Sequence, residues 1–242
     1  LKSALDRRDR DSLSYIWNRY KKKAADERQS EKAWGALAYI LNRLLQQDSD
    51  TIQASGDILS EDLYHYFTDN DCYHLRNYLV LKYELNNYRP RSVKEHIIQR
   101  TFYDDLLMFN NPYRTEWDNT NEAMSMMPIK EGDTVVDVGC GFGYNSFRLL
   151  PLVGRQGVVY ATDTEKAYID HLNAVANRNG INNLKALVTQ SNELGVADSV
   201  DCVVMSSLYH IIYTWSREDE RSSFIKSLKS HLKNGGYLVI ID

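Results

Sequence analysis

A short glycine-rich segment holds the residues of this sequence that are best suited to bind a ligand. Asp137 precedes three glycines, Gly139, Gly141 and Gly143, which alternate with other residues. Because glycine lacks a Cβ, such a segment can turn tightly and let a ligand approach its backbone. A helix that starts after the last glycine would direct its unpaired N–H groups at the same ligand. The pattern therefore predicts a ligand-binding turn between a strand and a helix.

Further polar residues follow two later hydrophobic runs. Asp163 follows the run Val158–Thr162, and an ionised carboxylate there can accept hydrogen bonds from two neighbouring hydroxyl groups. Tyr209 and His210 come soon after the run Val200–Met205. Since histidine titrates near neutral pH, His210 is a candidate general base, and a packing or capping role is the alternative. Tyr209 is a candidate for orienting a substrate, or equally a packed aromatic side chain.

From about residue 130 onward, short β-branched runs alternate with amphipathic segments. This alternation predicts βαβ units, a mainly parallel sheet and helices on both of its faces, which is the doubly wound α/β fold class. The predicted strands are Thr134–Val138, Val158–Thr162, Leu184–Val188, Val200–Met205 and Tyr237–Ile241, and the predicted helices lie near 144–152, 165–179 and 217–233.

The first hundred residues carry a different pattern. Apolar residues recur there at helical spacing, and polar or proline-containing segments separate the recurrences. We therefore expect an all-helical region over residues 1–100, which covers a substrate pocket or serves as an interaction module, and a second domain over 101–242. The helical groups are Leu13–Ala24, Trp34–Leu45 and Leu75–Tyr83, and one expected break is Asp69–Asp71.

The spacing of the glycines distinguishes between two families that bind nucleotides. A dinucleotide-binding turn has the form G-x-G-x-x-G, whereas this sequence has G-x-G-x-G, with Tyr144 where the last glycine of the dinucleotide form would stand. With Asp137 two residues before the first glycine, the segment resembles the first motif of the class I, Rossmann-like methyltransferases that depend on S-adenosylmethionine (SAM). The resemblance covers roughly residues 101–242. It implies SAM as the cofactor and S-adenosylhomocysteine as its product.

The resemblance also implies roles for individual residues. Asp163 would bind the ribose hydroxyls, and Ser191 or Asn192 would contact the adenine. Members of the family usually have an aspartate at the adenine position, so this chain departs from the pattern there. Tyr209 and His210 would face the methyl group and its acceptor. The other implied cofactor neighbours are Asp137, Gly139, Cys140, Gly141, Phe142, Gly143, Thr164 and Ser206, with Tyr113, Trp117 and Thr120 from the segment before the first strand.

Together these observations predict a methyltransferase that moves a methyl group from SAM to an acceptor. The net charge of −4 is unlike the basic balance of most nucleic-acid-binding domains, so a small-molecule acceptor is favoured over nucleic acid. The alternative is a non-catalytic protein that binds SAM or a nucleotide and recruits a protein partner through its N-terminal helices. An NAD-dependent oxidoreductase ranks third, because Tyr144 does not fit the dinucleotide motif.

Cysteine usage and hydropathy bear on metals and location. The three cysteines are widely spaced and form no CxxC pair, so we expect neither a metal site nor a disulfide framework. No apolar run approaches the ~18 residues of a membrane span, and the first residues lack an apolar signal segment. We therefore expect no membrane association and a cytoplasmic location.

The last predicted strand raises one further expectation. The family's sheet normally continues with two more strands beside strand five, whereas this sequence stops at Asp242. The edge of an apolar strand is normally covered, because its unpaired N–H and C=O groups promote aggregation. We therefore expect that strands six and seven are absent from this chain and that it is a fragment of a longer methyltransferase. In a complete protein, a partner subunit or part of residues 1–100 would have to cover the edge.

Overall fold

A computed structural model describes residues 7, 11–12, 14–15, 32–45, 57–83 and 92–242. The chain divides into two compact units, residues 1–117 and 118–242. Most of the helix predicted over Leu13–Ala24 lies outside the described residues. The predicted domain bounds, 1–100 and 101–242, stay a prediction.

The first unit consists of helices wherever longer segments of it are described. Ser92 begins one of these helices, because its hydroxyl accepts a hydrogen bond from the backbone N–H of Glu95 at 3.3 Å. Another helix is interrupted at Asn70 and Asp71, which have φ values of 50° and 58°, so the expected break is confirmed. Asparagine and aspartate adopt this left-handed conformation more readily than most residues do. The helices are α1 (Lys32–Leu45), α2 (Ile58–Tyr83), α3 (Val93–Phe109) and α4 (Thr115–Asp118), which spans the point of division.

The second unit is built on a sheet of five parallel strands in the order β3-β2-β1-β4-β5. This topology confirms the predicted doubly wound α/β class. The elements are α5 (Thr120–Met126), β1 (Thr134–Val138), α6 (Tyr144–Val153), β2 (Val158–Asp163), α7 (Lys166–Arg178), β3 (Leu184–Val188), β4 (Val200–Ser206), α8 (Tyr209–Trp215), α9 (Glu218–His231) and β5 (Leu232–Ile241).

The predicted start of strand five was wrong by five residues. Leu232 already pairs with Val200 of β4, and the register then shifts before Tyr237 pairs with Cys202. The irregular stretch between these two pairs contains Gly235 and Gly236. Because these glycines interrupt the apolar run, the sequence pattern gives no sign that the strand begins at Leu232. Among the described residues β5 pairs with β4 alone, and the expectation that this chain is a fragment stays a prediction.

Helices cover both faces of the sheet. On one face, Val136 and Met205 of the strands share a buried cluster with Phe224 and Leu228 of α9. On the other face, Asp137 of β1 contacts Ser146 of α6. No helix in the described ranges is both long and apolar enough to cross a membrane.

The order of the strands identifies the edge where a ligand would bind. β2 and β3 follow on one side of β1, whereas β4 and β5 lie on the other, so the direction of winding reverses between β1 and β4. Ligands of open α/β sheets bind at the carboxyl ends of the strands beside such a reversal. Because all five strands are parallel, the residues that follow β1, β2, β4 and β5 emerge at this same edge.

Asp201 joins three strands near their amino ends. Its Oδ2 accepts a hydrogen bond from the backbone N–H of Thr134 in β1 at 2.8 Å, and both of its carboxylate oxygens lie 2.9 Å from Nζ of Lys233 in β5. Burial by itself would raise the pKa of Asp201, but the hydrogen bonds from Lys233 and Thr134 outweigh it and lower the pKa. The ionised form of Asp201 therefore stabilises the sheet.

We expect Asp201→Asn to lower the free energy of unfolding by about 1–2 kcal/mol at pH 7, the scale of a partly exposed hydrogen bond to a charged group. The folded-state pKa of Asp201 is lower than the unfolded value of about 3.9. Its contribution is therefore complete above that value and is lost as the pH falls through the folded-state pKa. Urea unfolding at pH 7 and near pH 3 should show the difference shrinking in acid.

Asp170→Asn is the matched control for this experiment, because Asp170 forms an exposed ion pair with Lys166 one helical turn away. We expect that control to change stability by less than about 0.5 kcal/mol. A loss at Asp201 that does not depend on pH would contradict the assignment of its charge.

Candidate functional site

The turn that follows β1 is attached to the end of β2 by three backbone N–H groups. Those of Gly139 and Cys140 donate to the carbonyl oxygen of Thr162 at 2.8 and 3.0 Å. The N–H of Gly141 donates to Oδ2 of Asp163 at 2.9 Å. The predicted glycine turn and the predicted acidic residue are thus one hydrogen-bonded structure.

Gly143 allows α6 to begin close to α7. Its φ is +87°, and a Cβ built on it would lie 2.5 Å from Cδ1 of Leu172 in α7 and 3.3 Å from Phe147. Its N–H donates to the carbonyl of Cys140 at 2.9 Å, and its own carbonyl accepts the N–H of Phe147 at 3.0 Å, which is the first bond of α6. A side chain at this position would meet both a strained backbone and a steric clash.

Asp137 is a buried carboxylate that joins β1 to α6. It is 1% exposed, and its Oδ2 accepts a hydrogen bond from the hydroxyl of Ser146 at 2.6 Å. Ser146 is itself fully buried in the first turn of α6. The contact ties the end of β1 to the start of α6, which are the two ends of the glycine turn. Asp137 therefore stabilises the turn without being exposed in it. Sequence reasoning missed Ser146. The available signal was a serine in the first turn of the helix that follows a strand with an aspartate near its end.

Two backbone donors orient the carboxylate of Asp163. Oδ2 accepts the N–H of Gly141, and Oδ1 accepts the N–H of Glu165, both at 2.9 Å. Each carboxylate oxygen can accept a second hydrogen bond, so the oriented carboxylate retains capacity for two ligand hydroxyls. The side chain is half-buried, and the next residue, Thr164, is exposed.

Cys140 and Phe142 contribute to the site in a more limited way. Burial, together with the negative charges of Asp137 and Asp163, raises the pKa of the Cys140 thiol well above its ordinary value, so the thiol stays neutral. Phe142 is fully buried, and its ring centroid lies 4.4 Å from that of Tyr168 in α7. Its side chain therefore packs beneath the turn, and only its backbone is available to a ligand.

The segment after β3 starts beside Asp163. The N–H of Thr189 donates to the carbonyl of Asp163 at 2.9 Å. Of the two candidate adenine contacts, Ser191 is exposed and Asn192 is half-buried. Both stay predicted contacts of the adenine.

The segment after β4 reaches the glycine turn. Ser206 ends the strand, and Ser207 has a φ of 53° and donates its N–H to the carbonyl of Ile241 at 2.7 Å. The side chain of Leu208 comes within 2.9 Å of the point where a Cβ on Gly139 would stand. The residues after β1 and after β4 are therefore in contact, as the reversal in strand order requires.

Tyr209 and His210 begin α8 directly after this contact. Tyr209 is 46% exposed, and its ring is nearly parallel to that of Tyr213, with centroids 6.2 Å apart. The side chain of His210 is 60% exposed, so it lies outside the core. Its backbone N–H and its Nδ1 meet the two carboxylate oxygens of Asp242, at 2.6 and 2.5 Å.

Sequence reasoning missed Asp242 as a partner of His210. The available signal was its place directly after β5, which is the neighbour of β4 in the sheet. A carboxylate there emerges at the same edge as the residues that follow β4. The catalytic roles predicted for His210 and Tyr209 stay predictions.

The segment before β1 contacts the start of α6 through Thr120. Its hydroxyl lies 2.9 Å from the hydroxyl of Tyr144, and the guanidinium of Arg148 lies 3.7 Å from the centre of the Tyr144 ring. Tyr113 and Trp117 belong to the first unit. All three stay predicted as neighbours of the cofactor.

The arrangement suits a ligand that carries a diol. The backbone turn offers no bulky side chain at its glycines, and the Asp163 carboxylate beside it can accept from two hydroxyls. Within the ranges that the structure describes, no group of three or more His, Cys, Asp or Glu side chains could hold a metal ion.

Comparison with known proteins points to one family. A family model described as a methyltransferase domain matches residues 135–236. A protein-L-isoaspartate O-methyltransferase from Methanocella arvoryzae is 31% identical over 112 residues, which cover 43% of this chain and 56% of that protein. A probable cobalt-precorrin-6B C(15)-methyltransferase (decarboxylating) from Methanosarcina acetivorans is 30% identical over 93 residues, which cover 37% of this chain and 50% of that protein.

One solved structure is also similar to this chain. A SAM dependent methyltransferase from Aquifex aeolicus is 31% identical, and the match covers 55% of this chain and 68% of that one, with a TM-score of 0.49. Matched segments account for between 33% and 56% of the length of the curated relatives.

We expect Gly143→Ala to lower the free energy of unfolding by about 2–4 kcal/mol, because it adds a clash with Leu172 to the cost of a left-handed backbone. Gly132→Ala is the matched control: Gly132 has a φ of +91° and no atom within 4 Å of its would-be Cβ. That control should cost only the backbone strain, about 1 kcal/mol. Equal losses for the two variants in urea unfolding would show that the approach of α7 does not constrain the turn.

Proposed function

We propose that this protein uses SAM to methylate a small-molecule acceptor at the carboxyl edge of its sheet, since residues 135–236 match a methyltransferase domain. The observation that carries the proposal is the Asp163 carboxylate, oriented by Gly141 and Glu165 beside a turn whose three glycines carry no side chain. Bound SAM supplies a methyl group that its sulfonium already activates.

The chain's own residues would bind and orient the cofactor. The backbone of the glycine turn approaches it closely, and Asp163 accepts hydrogen bonds from its ribose hydroxyls. Ser191 or Asn192 contacts the adenine, and Ser206 lies on the side of the reacting group. Asp137 acts indirectly, since it holds α6 and the turn together through Ser146.

The protein accelerates the transfer mainly by proximity, alignment and exclusion of water. A base is needed only when the acceptor arrives protonated. His210 is the candidate for that role, because it follows Leu208, which packs against Gly139 of the turn. Tyr209 would orient the acceptor beside it.

The acceptor is proposed as a small molecule on grounds of charge. The chain carries a net charge of −4, which does not favour binding to a polyanion. The N-terminal helices would cover the acceptor or recruit a protein partner, and we place the protein in the cytoplasm.

One observation favours a second candidate, a protein that binds SAM without turning it over. The segment Gln190–Glu193 lacks the aspartate that the family usually places near adenine. Incubating the protein with SAM and a pool of cellular metabolites distinguishes the two candidates. Formation of S-adenosylhomocysteine supports the enzyme, and its absence with tight SAM binding supports the binding protein.

We expect the protein to bind SAM and S-adenosylhomocysteine, and to bind NAD far more weakly, in isothermal titration calorimetry. Asp163→Ala should weaken SAM binding by about 1.5–3 kcal/mol, the scale of hydrogen bonds to a charged group. Asp163→Asn keeps one acceptor oxygen for Gly141 and should lose less. The exposed Asp170→Asn serves as the matched control with unchanged affinity. NAD binding as tight as SAM binding would reject the proposed cofactor, and full affinity of Asp163→Ala would reject the ribose contact.

We expect His210→Ala to slow methyl transfer by about 10²-fold or more, the scale of general base catalysis, while the affinity for SAM stays unchanged. The measurement is kcat against pH with an acceptor from the metabolite pool, beside calorimetry for SAM. Full activity with an unchanged pH profile would exclude the base role.

A further inference from the structure

Asp242 contacts His210 in an arrangement that the proposed function does not use. One carboxylate binds two groups of the same residue, the backbone N–H and the Nδ1 of the ring. The two residues are 32 positions apart and follow neighbouring strands, β4 and β5. The pair therefore exists only because the sheet brings the two strand ends together.

We propose that Asp242 is a positioning residue for His210: it keeps the proton of the neutral imidazole on Nδ1, so that Nε2 is the nitrogen that accepts a proton at the carboxyl edge. The proposal rests on the proposed function, because Nε2 has a task only if an acceptor is methylated beside it. To the proposed function it adds Asp242 as a positioning residue and the Nδ1–H tautomer as the state of His210.

The first argument is the chemistry of the two partners. An ionised carboxylate can only accept hydrogen bonds, so the ring nitrogen that faces it must donate. The hydrogen bond from His210 holds the pKa of Asp242 below its ordinary value, so the carboxylate is ionised at neutral pH. In a neutral imidazole the proton on Nδ1 leaves Nε2 as an acceptor.

The second argument is geometry. The contact to the backbone N–H of His210 fixes the carboxylate relative to the start of α8, and the contact to Nδ1 then fixes the ring. The backbone bond from Ser207 to Ile241 holds the two strand ends together just before this pair. The ring therefore cannot rotate without losing its partner.

The third argument is exposure. The side chain of Asp242 is 20% exposed, whereas that of His210 is 60% exposed. The ring of His210 thus remains open to an incoming molecule. Capping α8 requires only one carboxylate oxygen, the one that accepts the backbone N–H of His210. Capping alone does not explain why the second oxygen contacts Nδ1 of the ring.

The proton balance defines the class of acceptor. With SAM bound, the lone pair of the acceptor would form the bond to the methyl carbon, the C–S electron pair would stay on sulfur, and Nε2 of His210 would take the acceptor's proton. The resulting imidazolium is stabilised by the Asp242 carboxylate. Such a pair suits a hydroxyl, an amine or a ring N–H, and it is of no use to an acceptor that arrives as an anion.

The test is the tautomer of His210, read from long-range ¹H–¹⁵N NMR of protein labelled at histidine, with His210→Gln to assign its signals. In the unchanged chain we expect the Nδ1–H form wherever the ring is neutral. In Asp242→Asn, the single amide oxygen remains with the backbone N–H, and the NH₂ group then faces Nδ1. The proton should therefore move to Nε2, whereas Asp242→Glu should retain it on Nδ1.

Asp170→Asn, which removes a carboxylate from an exposed pair on α7, is the matched control and should leave the His210 signals unchanged. An Nε2–H tautomer in the unchanged chain, or an Nδ1–H tautomer that persists in Asp242→Asn, would overturn the proposal. Calorimetry with SAM reports separately on the proposed function. A chain that fails to bind SAM but shows the expected tautomers would reject the methyltransferase function and leave the pair standing.

Discussion

The hydrogen bond from the N–H of Gly141 to the carboxylate of Asp163 is the interaction on which the ligand-binding edge depends. It joins the turn after β1 to the end of β2, beside the two bonds that Gly139 and Cys140 make to Thr162. The same carboxylate also accepts the N–H of Glu165, where α7 begins. A single side chain thus sets the position of the turn relative to the next strand and helix, and it keeps lone pairs for a ligand.

Around this bond, four of the five strands each contribute one part of the site. The end of β1 supplies the turn and the buried Asp137 beneath it, and the end of β2 supplies Asp163. The residues after β4 approach from the other side of the reversal, where Leu208 packs against Gly139. β5 adds the Asp242 carboxylate beside His210. In the proposed function, the parallel sheet would separate two tasks, with cofactor groups after β1 and β2 and acceptor groups after β4 and β5.

Much of the fold could be predicted because its signals are local. The apolar runs of β1 and β3 matched the observed strands at both ends, and β2 and β4 extended one residue further. Strand five was predicted to begin at Tyr237 and begins at Leu232, because the isolated pair of Leu232 with Val200 precedes a register shift that leaves no mark in the hydrophobic pattern. The break in α2 was equally readable, since consecutive Asp and Asn residues tolerate left-handed backbone.

By itself, the sequence determined the class of fold, the glycine turn and the identity of the acidic residue after β2, because spacing and residue type act over a few neighbouring positions. Only the tertiary structure decided which of these groups touch. Gly141 and Asp163 are 22 residues apart, and His210 and Asp242 are 32 apart. Strand order decides which strand ends are neighbours, and strand order depends on packing across the whole sheet. That is why His210 was visible as a candidate from its residue type, whereas its partner Asp242 emerged only once β5 lay beside β4.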